Sequence, residues 1–193
     1  MTYGAGEYRI IEKRIFTEIN HGRTEQMSIE TERKFLIKLP DTELIRKCEG
    51  CRVLDIVQTY LTDEANTGAE RRIRKVVEDG ETRYIFTRKE HITKMSRIED
   101  EREISYEEYK ALYAEAKGEL TKTRYAFPFS GKVIEIDAYP YEIGGDALAG
   151  CAVLELELES EDEAINLPDF INVIRELTGT GEYSNKKLAK KIR

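Results

Sequence analysis

Leu154, Leu156 and Leu158 are interleaved with Glu155, Glu157 and Glu159, and a period of two like this one recurs through most of the chain. In an extended strand it puts the leucines on one face and the glutamates on the other. Arg72 alternates with Arg74, Lys122 with Arg124, Glu135 with Asp137, and Glu99, Glu101 and Glu103 with one another. Nearer the start, Glu30, Glu32 and Lys34 share a face in Ile-Glu-Thr-Glu-Arg-Lys-Phe. Same-face neighbours in a strand lie about 7 Å apart. Two like charges at that distance repel by about 0.6 kcal/mol in water and about 2 kcal/mol at an effective dielectric near 20.

This pattern predicts a first strand that ends at Leu39-Pro40, followed by strands near 52–61, 70–78, 82–89, 96–104, 120–127, 132–138 and 151–159. Asp79-Gly80 between two of them is a hairpin turn, because both residues tolerate positive φ. Asp41 opens a helix to about residue 50 with Leu44, Ile45 and Cys48 on its inner stripe. Ser105 and Glu108 form a capping box for a helix carrying Tyr109, Leu112 and Tyr113, which Gly118 ends. Ser160 with Glu163, Pro168 and Ser184 mark three further helix starts, the last of them basic, and Gly144-Gly145-Asp146 reads as a turn. Tyr8, Ile11, Ile15 and Ile19 have the spacing of a short amphipathic helix.

Two arrangements account for the alternation. One is a half-buried antiparallel sheet with its charged face in water. The other turns the charge inward. Solvated faces generally mix signs, since like charges in a row gain nothing there. Eight strands in consecutive hairpins close most economically into an antiparallel barrel, which removes sheet edges and leaves a lumen. The expected fold is therefore α+β: an eight-stranded antiparallel barrel, charged inside, with leucines outside beneath the helices and a C-terminal helix near one mouth.

A chain of 193 residues with 40% hydrophobic residues supports a single domain, expected over 27–193 after an N-terminal extension, 1–26, of unassigned role. No apolar run reaches the ~20 residues that cross a bilayer, and the first residues lack a secretory signal, so a cytoplasmic protein without a membrane partner is expected. The formal net charge of -7 gives the molecule no general attraction for a nucleic acid duplex. Cys48, Cys51 and Cys151 are too few for a disulfide scaffold or a four-cysteine zinc site, and His21 and His91, neither near a nucleophilic serine or cysteine, argue against a histidine-based triad or zinc protease.

Arg72, Arg74, Lys122 and Arg124, joined by Lys34 and Lys89, supply the guanidinium forks and ammonium groups that grip phosphate oxygens. Glu30, Glu32, Glu99, Glu101, Glu135, Asp137, Glu155 and Glu157 are hard oxygen donors suited to Mg²⁺ or Mn²⁺. A divalent ion between carboxylates and phosphate oxygens resolves the repulsion on both sides. The expected ligand is a metal-bound polyphosphate, with Glu155 or Glu157 holding metal and orienting a water for phosphoryl transfer. Hydrolysis and cyclisation of a nucleotide both remain open on these residues.

Glu-Thr-Glu-Arg-Lys-Phe-Leu at 30–36, Arg-x-Arg at 72–74, Thr-Arg-Lys at 87–89, Glu-x-Glu at 99–101, Lys-Thr-Arg-Tyr at 122–125, Glu-Ile-Asp at 135–137, Glu-Leu-Glu at 155–157 and Tyr-Ser-Asn-Lys-Lys-Leu-Ala at 183–189 resemble the CYTH superfamily, the triphosphate tunnel metalloenzymes. The resemblance implies an eight-stranded tunnel that binds a small-molecule triphosphate with divalent metal. It assigns Lys34, Arg72, Arg74, Lys89, Lys122 and Arg124 to phosphate. Glu30, Glu32, Asp137, Glu155 and Glu157 go to metal, with Glu99 and Glu101 as further tunnel carboxylates. The 183–189 segment is similar to a helix that plugs the tunnel, from which Lys186 or Lys187 reaches toward phosphate. The early motif is most similar to members acting on inorganic triphosphate, so a triphosphatase, monomeric or homodimeric, is expected. The alternatives are an adenylate cyclase and a non-catalytic polyphosphate- or nucleotide-binding module.

Overall fold

The computed structural model describes residues 15–20, 23–65, 67–91, 96–140, 150–160 and 162–191, with side chains from Thr31 onward except at 91, 96, 97, 190 and 191. The turn at Gly144-Gly145-Asp146 and positions Tyr8 and Ile11 lie outside the described residues. The alternating segments are strands: β1 (Ile15–Asn20), β2 (Arg23–Lys38), β3 (Arg52–Tyr60), β4 (Glu70–Glu78), β5 (Glu81–His91), β6 (Ser96–Ile104), β7 (Gly118–Phe129), β8 (Lys132–Ala138), β9 (Cys151–Leu158), β10 (Val173–Glu176) and β11 (Lys190–Lys191). Three helices accompany them: α1 (Thr42–Arg46), α2 (Tyr106–Tyr113) and α3 (Asn185–Leu188).

All described strands belong to one antiparallel sheet in the order β1-β2-β6-β5-β4-β3-β7-β8-β9, with β10 on β2 and β11 on β7. β9 also pairs back onto β2, so eight strands form a circuit of hydrogen-bonded neighbours. The join is made by halves of one strand. β6 pairs with Met27–Thr31 of β2, and β9 pairs with Thr31–Lys38, so the two neighbours share only Thr31. The barrel is thus split at β2 and is not sealed along its full height.

Local chemistry explains the element ends. Asp79 (φ 50°) and Gly80 (φ 84°) make the expected hairpin between β4 and β5, and Ser130 (φ 50°) with Gly131 (φ 78°) repeats it between β7 and β8. Asp41 caps α1 by accepting from the Glu43 N–H at 3.0 Å, and Ser105 caps α2 by accepting from Glu108 N–H at 3.1 Å. Ser184 caps α3 at the expected position.

Four expectations are corrected. The Ile15 and Ile19 segment is strand β1, paired with Ser28 and Thr24 of β2, because a neighbouring strand offers its backbone hydrogen bonds and a short isolated helix is marginal. α1 stops at Arg46 instead of near residue 50, the chain turning at Gly50 (φ 69°), where an added Cβ would stand 3.2 Å from the Pro128 side chain. Gly118 opens β7, opposite Tyr60, and does not close α2. No helix starts at Ser160 or Pro168 among the described residues. The Glu163 carboxylate accepts from Glu159 N–H at 2.7 Å and takes Lys132 at 2.5 Å, and Val173–Glu176 is drawn out as β10 against Phe35–Ile37.

The apolar faces point outward. Phe35, Ile37, Tyr125, Phe127, Ile134, Ile136, Leu154 and Leu156 form a buried layer on the outside of the β2-β9-β8-β7 wall, covered by Ile45 of α1 and by Ile165, Leu167, Phe170 and Ile171. On the β4-β5 side, Ile73, Leu61 and Ile104 pack with Tyr109 of α2. The residues between them in sequence therefore face the lumen. Leu154→Ala, at a fully buried position, is expected to lower stability by about 2–5 kcal/mol in urea unfolding, whereas Leu44→Ala, 43% exposed, is expected to cost less than about 1 kcal/mol.

Candidate functional site

The inward faces enclose a cavity of about 920 Å³. All six predicted basic residues line it: Lys34 from β2, Arg72 and Arg74 from β4, Lys89 from β5, Lys122 and Arg124 from β7. Glu32, Glu99, Glu101, Glu135, Glu155 and Glu157 line it as well. Asp137 is brought to the same wall but is fully buried behind the lining. The Glu30 side chain lies outside the described residues; its backbone pairs with Arg97. Glu103, which shares the alternation of Glu99 and Glu101, is exposed and outside the cavity lining.

Two ion-paired groups face each other. On the β4-β5-β6 wall, Arg72 donates to Glu99 at 3.2 Å, Lys89 pairs with Glu99, and Arg74 pairs with Glu101. Thr87, 0% exposed, accepts from Arg74 at 3.4 Å and donates to Glu101 at 3.3 Å. On the β7-β8-β9-β2 wall, Lys34 meets Glu155 at 2.6 Å and Arg124 meets Glu155 at 3.1 Å. Arg124 also pairs with Glu135 and, through Nε and a terminal nitrogen, grips both Asp137 oxygens at 2.7 and 2.8 Å. Lys122 donates to Asp137 at 2.5 Å.

Two features call for a ligand. The Nε–H groups of Arg72 and Arg74 are buried and have no hydrogen-bond partner among the described residues, a costly state for a charged donor. Glu32 and Glu157 stand directly opposite across β2 and β9, with the Lys34 ammonium 3.8 Å from Glu32, an arrangement of like charges that a further cation would favour. Their oxygen chemistry fits a hard divalent ion. Among the described residues, no three acidic, histidine or cysteine side chains converge as a ready-made metal cluster.

The electrostatics follow from enclosure. Burial pushes the Lys122 ammonium down to about 8, with Arg124 adding repulsion and Asp137 opposing both. Burial alone would raise the Asp137 and Glu155 carboxyls, yet neighbouring cations hold both below the usual range. Arg124 and Lys122 do so for Asp137, and Lys34, Arg124 and Lys122 for Glu155, which lies well below. Burial works against the Arg124 charge, but Asp137 and Glu135 outweigh it. Arg74 is lowered by burial and by Arg72 beside it.

Sequence reasoning passed over Gln58, Tyr60, Thr87 and Glu70. Gln58 and Tyr60 line the cavity from β3, nearly fully buried, and the Gln58 amide donates to the Tyr60 hydroxyl at 2.6 Å. Their period of two, in phase with Arg72 and Arg74 across β3 and β4, was the available signal; it carried no charge to draw notice. At the mouth, Asn185, Lys186 and Lys187 of α3 line the cavity, and Lys186 is held by Asp63 at 2.9 Å and Glu70 at 3.7 Å.

The CYTH domain family model matches residues 28–192. No curated protein matches the chain. Among solved structures, the PH1819 protein of Pyrococcus horikoshii OT3 is 22% identical over 69% of this chain and 80% of its own, with a TM-score of 0.52, a likeness that shows the fold. A Bacillus halodurans protein described as a candidate adenylate cyclase is 20% identical over 70% of this chain and 83% of its own, TM-score 0.47. HpAC1 of Hippeastrum, a candidate adenylyl cyclase described as having a dominant triphosphatase activity, is 14% identical over 67% and 80%, TM-score 0.43.

The low Lys122 value has a measurable consequence. The unfolded chain keeps this proton up to about 10.5 while the folded protein releases it near 8, so charged Lys122 opposes folding below pH 8 and that opposition is relieved between the two values. A polyanion in the cavity favours the charged form. Binding of inorganic triphosphate in EDTA just above pH 8 is therefore expected to take up protons, and affinity to fall as pH rises further. Calorimetry in two buffers of different ionisation enthalpy reads this directly. Equal proton uptake by wild type and Lys122→Gln would remove Lys122 from the titration.

Proposed function

Because the chain belongs to the CYTH domain family, we propose that it hydrolyses triphosphates in the charged cavity with the help of a divalent metal ion, inorganic triphosphate being the preferred substrate. CYTH domain proteins are typically enzymes with triphosphatase or cyclase activity, and the family depends on divalent metal. The observation that carries the reading is the convergence of six cations on one enclosed volume, two of them with unpartnered buried Nε–H donors.

Lys34, Arg72, Arg74, Lys89, Lys122 and Arg124 bind the phosphate chain: Arg72, Arg74 and Lys89 exchange Glu99 and Glu101 for phosphate oxygens, while Lys34, Lys122 and Arg124 keep Glu155 and Asp137 and present their remaining N–H donors. Both kinds of bond are charge-assisted, so the exchange sacrifices little and the cations need no large rearrangement. Glu32 and Glu157 would hold the ion, magnesium or manganese, which neutralises charge on the phosphate oxygens and steadies the transferred group. Glu155, kept ionised by Lys34 and Arg124, orients the attacking water together with Glu157. The water oxygen forms the new bond to the terminal phosphorus, the bridging P–O bond breaks, the water proton passes to a carboxylate, and phosphate and pyrophosphate leave. The enclosing wall limits bulk water, which strengthens each of these contacts.

The size of the cavity favours one other reading. A volume of about 920 Å³ holds a ligand well beyond three linked phosphates. A nucleoside triphosphate would fill more of it, and an adenylate cyclase would close the ribose 3′-oxygen onto the α-phosphorus with loss of pyrophosphate. A binding module without turnover would retain the ligand and release no phosphate.

Purified protein incubated with inorganic triphosphate or ATP, each with Mg²⁺, Mn²⁺ or EDTA, separates the three. Metal-dependent phosphate release from inorganic triphosphate is the expected result; cyclic AMP from ATP would replace it with the cyclase. Arg72→Ala is expected to raise KM by about tenfold or more, since a charge-assisted contact is worth about 1.5–3 kcal/mol. Glu157→Gln is expected to lower kcat by about tenfold or more with a smaller change in KM. Unchanged kinetics in both variants would place the chemistry elsewhere.

A further inference from the structure

Asp137 departs from the metal role that its motif implies. Its side chain is 1% exposed, it does not border the cavity, and its oxygens are already engaged. Oδ1 accepts from Arg124 Nε at 2.7 Å, while Oδ2 accepts from an Arg124 terminal nitrogen at 2.8 Å and from Lys122 Nζ at 2.5 Å. A carboxylate offers about four lone-pair sites, and three are spent on these two cations. Turning toward a metal in the cavity would take from Lys122, whose side chain is 2% exposed, the carboxylate it donates to, beside the Arg124 guanidinium that repels it.

The contact with Arg124 is a two-point fork, which fixes the guanidinium plane as well as its place. Nε is consumed by the fork, so the terminal nitrogens are the edge left to meet the cavity, where they now contact Glu135 and Glu155. Lys122 spends one of three ammonium donors on Asp137. Asp137 lies opposite Arg124 in the β7-β8 register, two residues from Glu135 on the same inward face, so the strand pairing itself sets this geometry.

We propose that Asp137 is the positioning residue of the phosphate cradle and not a metal ligand: from behind the cavity wall it orients Arg124 and Lys122 toward a common phosphate. The inference rests on the triphosphate reading above. Asp137 touches neither substrate nor ion, and it acts through the two cations it holds.

The test separates metal binding from phosphate binding. Mn²⁺ affinity is measured by electron paramagnetic resonance on the protein without substrate, and inorganic triphosphate affinity by calorimetry in EDTA, for wild type, Asp137→Asn and Asp137→Glu. Asp137→Glu keeps the charge, so it remains informative where Asp137→Asn does not fold. The expected result is Mn²⁺ affinity within about twofold of wild type, with triphosphate affinity weakened about tenfold in both variants and KM rising more than kcat falls. Added to Arg124→Lys, Asp137→Asn is expected to weaken triphosphate affinity by less than it does in wild type, because the fork is already lost and only the Lys122 contact remains to be removed. Loss of Mn²⁺ affinity by tenfold or more, or triphosphate affinity equal to wild type, would overturn the proposal. Failure of wild type itself to bind inorganic triphosphate would instead refute the reading on which it rests.

Discussion

Opposed charges held on the inner faces of one barrel are the constraint to which the rest of this structure answers. Arg72 and Arg74 share one face of β4 and repel each other. They are tolerable only because Glu99 and Glu101 meet them from β6, across β5. Lys122 and Arg124 on β7 similarly need Asp137 and Glu135 on β8 and Glu155 on β9. Pairs of this kind roughly balance their desolvation against their attraction, so they add little net stability. They act instead as a preorganised field that fixes where each cation stands in the cavity.

Stability comes from the other face of the same strands. Glu135, Glu155 and Arg124 are flanked by outward Ile134, Ile136, Leu154, Leu156 and Tyr125, which pack with α1 and the 165–171 segment. The period of two thus does two jobs at once, and a slip of one residue would exchange them. β2 carries most of this load. It pairs with β6 and β9 in turn, takes β10 on Phe35–Ile37, and is pinned by the two-point contact of Arg33 with Glu176 at 2.8 Å for each bond. The shortness of each shared segment leaves the barrel split there.

The two walls differ in how they hold their cations. The β7 wall is fully engaged, Arg124 using all three of its nitrogens. The β4 wall keeps the Nε–H groups of Arg72 and Arg74 in reserve, with Gln58, Tyr60 and Thr87 as neutral polar neighbours. At the mouth, Lys186 is tied to Asp63 and Glu70, which joins the C-terminal segment to the β3-β4 connection.

Alternation by itself determined most strand positions and which residues share a face, because side-chain direction in a strand is a local property. The Asp79-Gly80 turn and the Asp41, Ser105 and Ser184 caps were legible for the same reason. Tertiary structure decided what local pattern could not. It turned Ile15 and Ile19 into strand and drew Val173–Glu176 onto β2, because an available sheet edge outweighs weak helical spacing. It brought Gln58, Tyr60 and Thr87 into the site, since neutral residues leave no charge signature. It also drew Asp137 away from the cavity and into the grip of Arg124 and Lys122, a partnership between β7 and β8 that depends on strand register, which no single strand encodes.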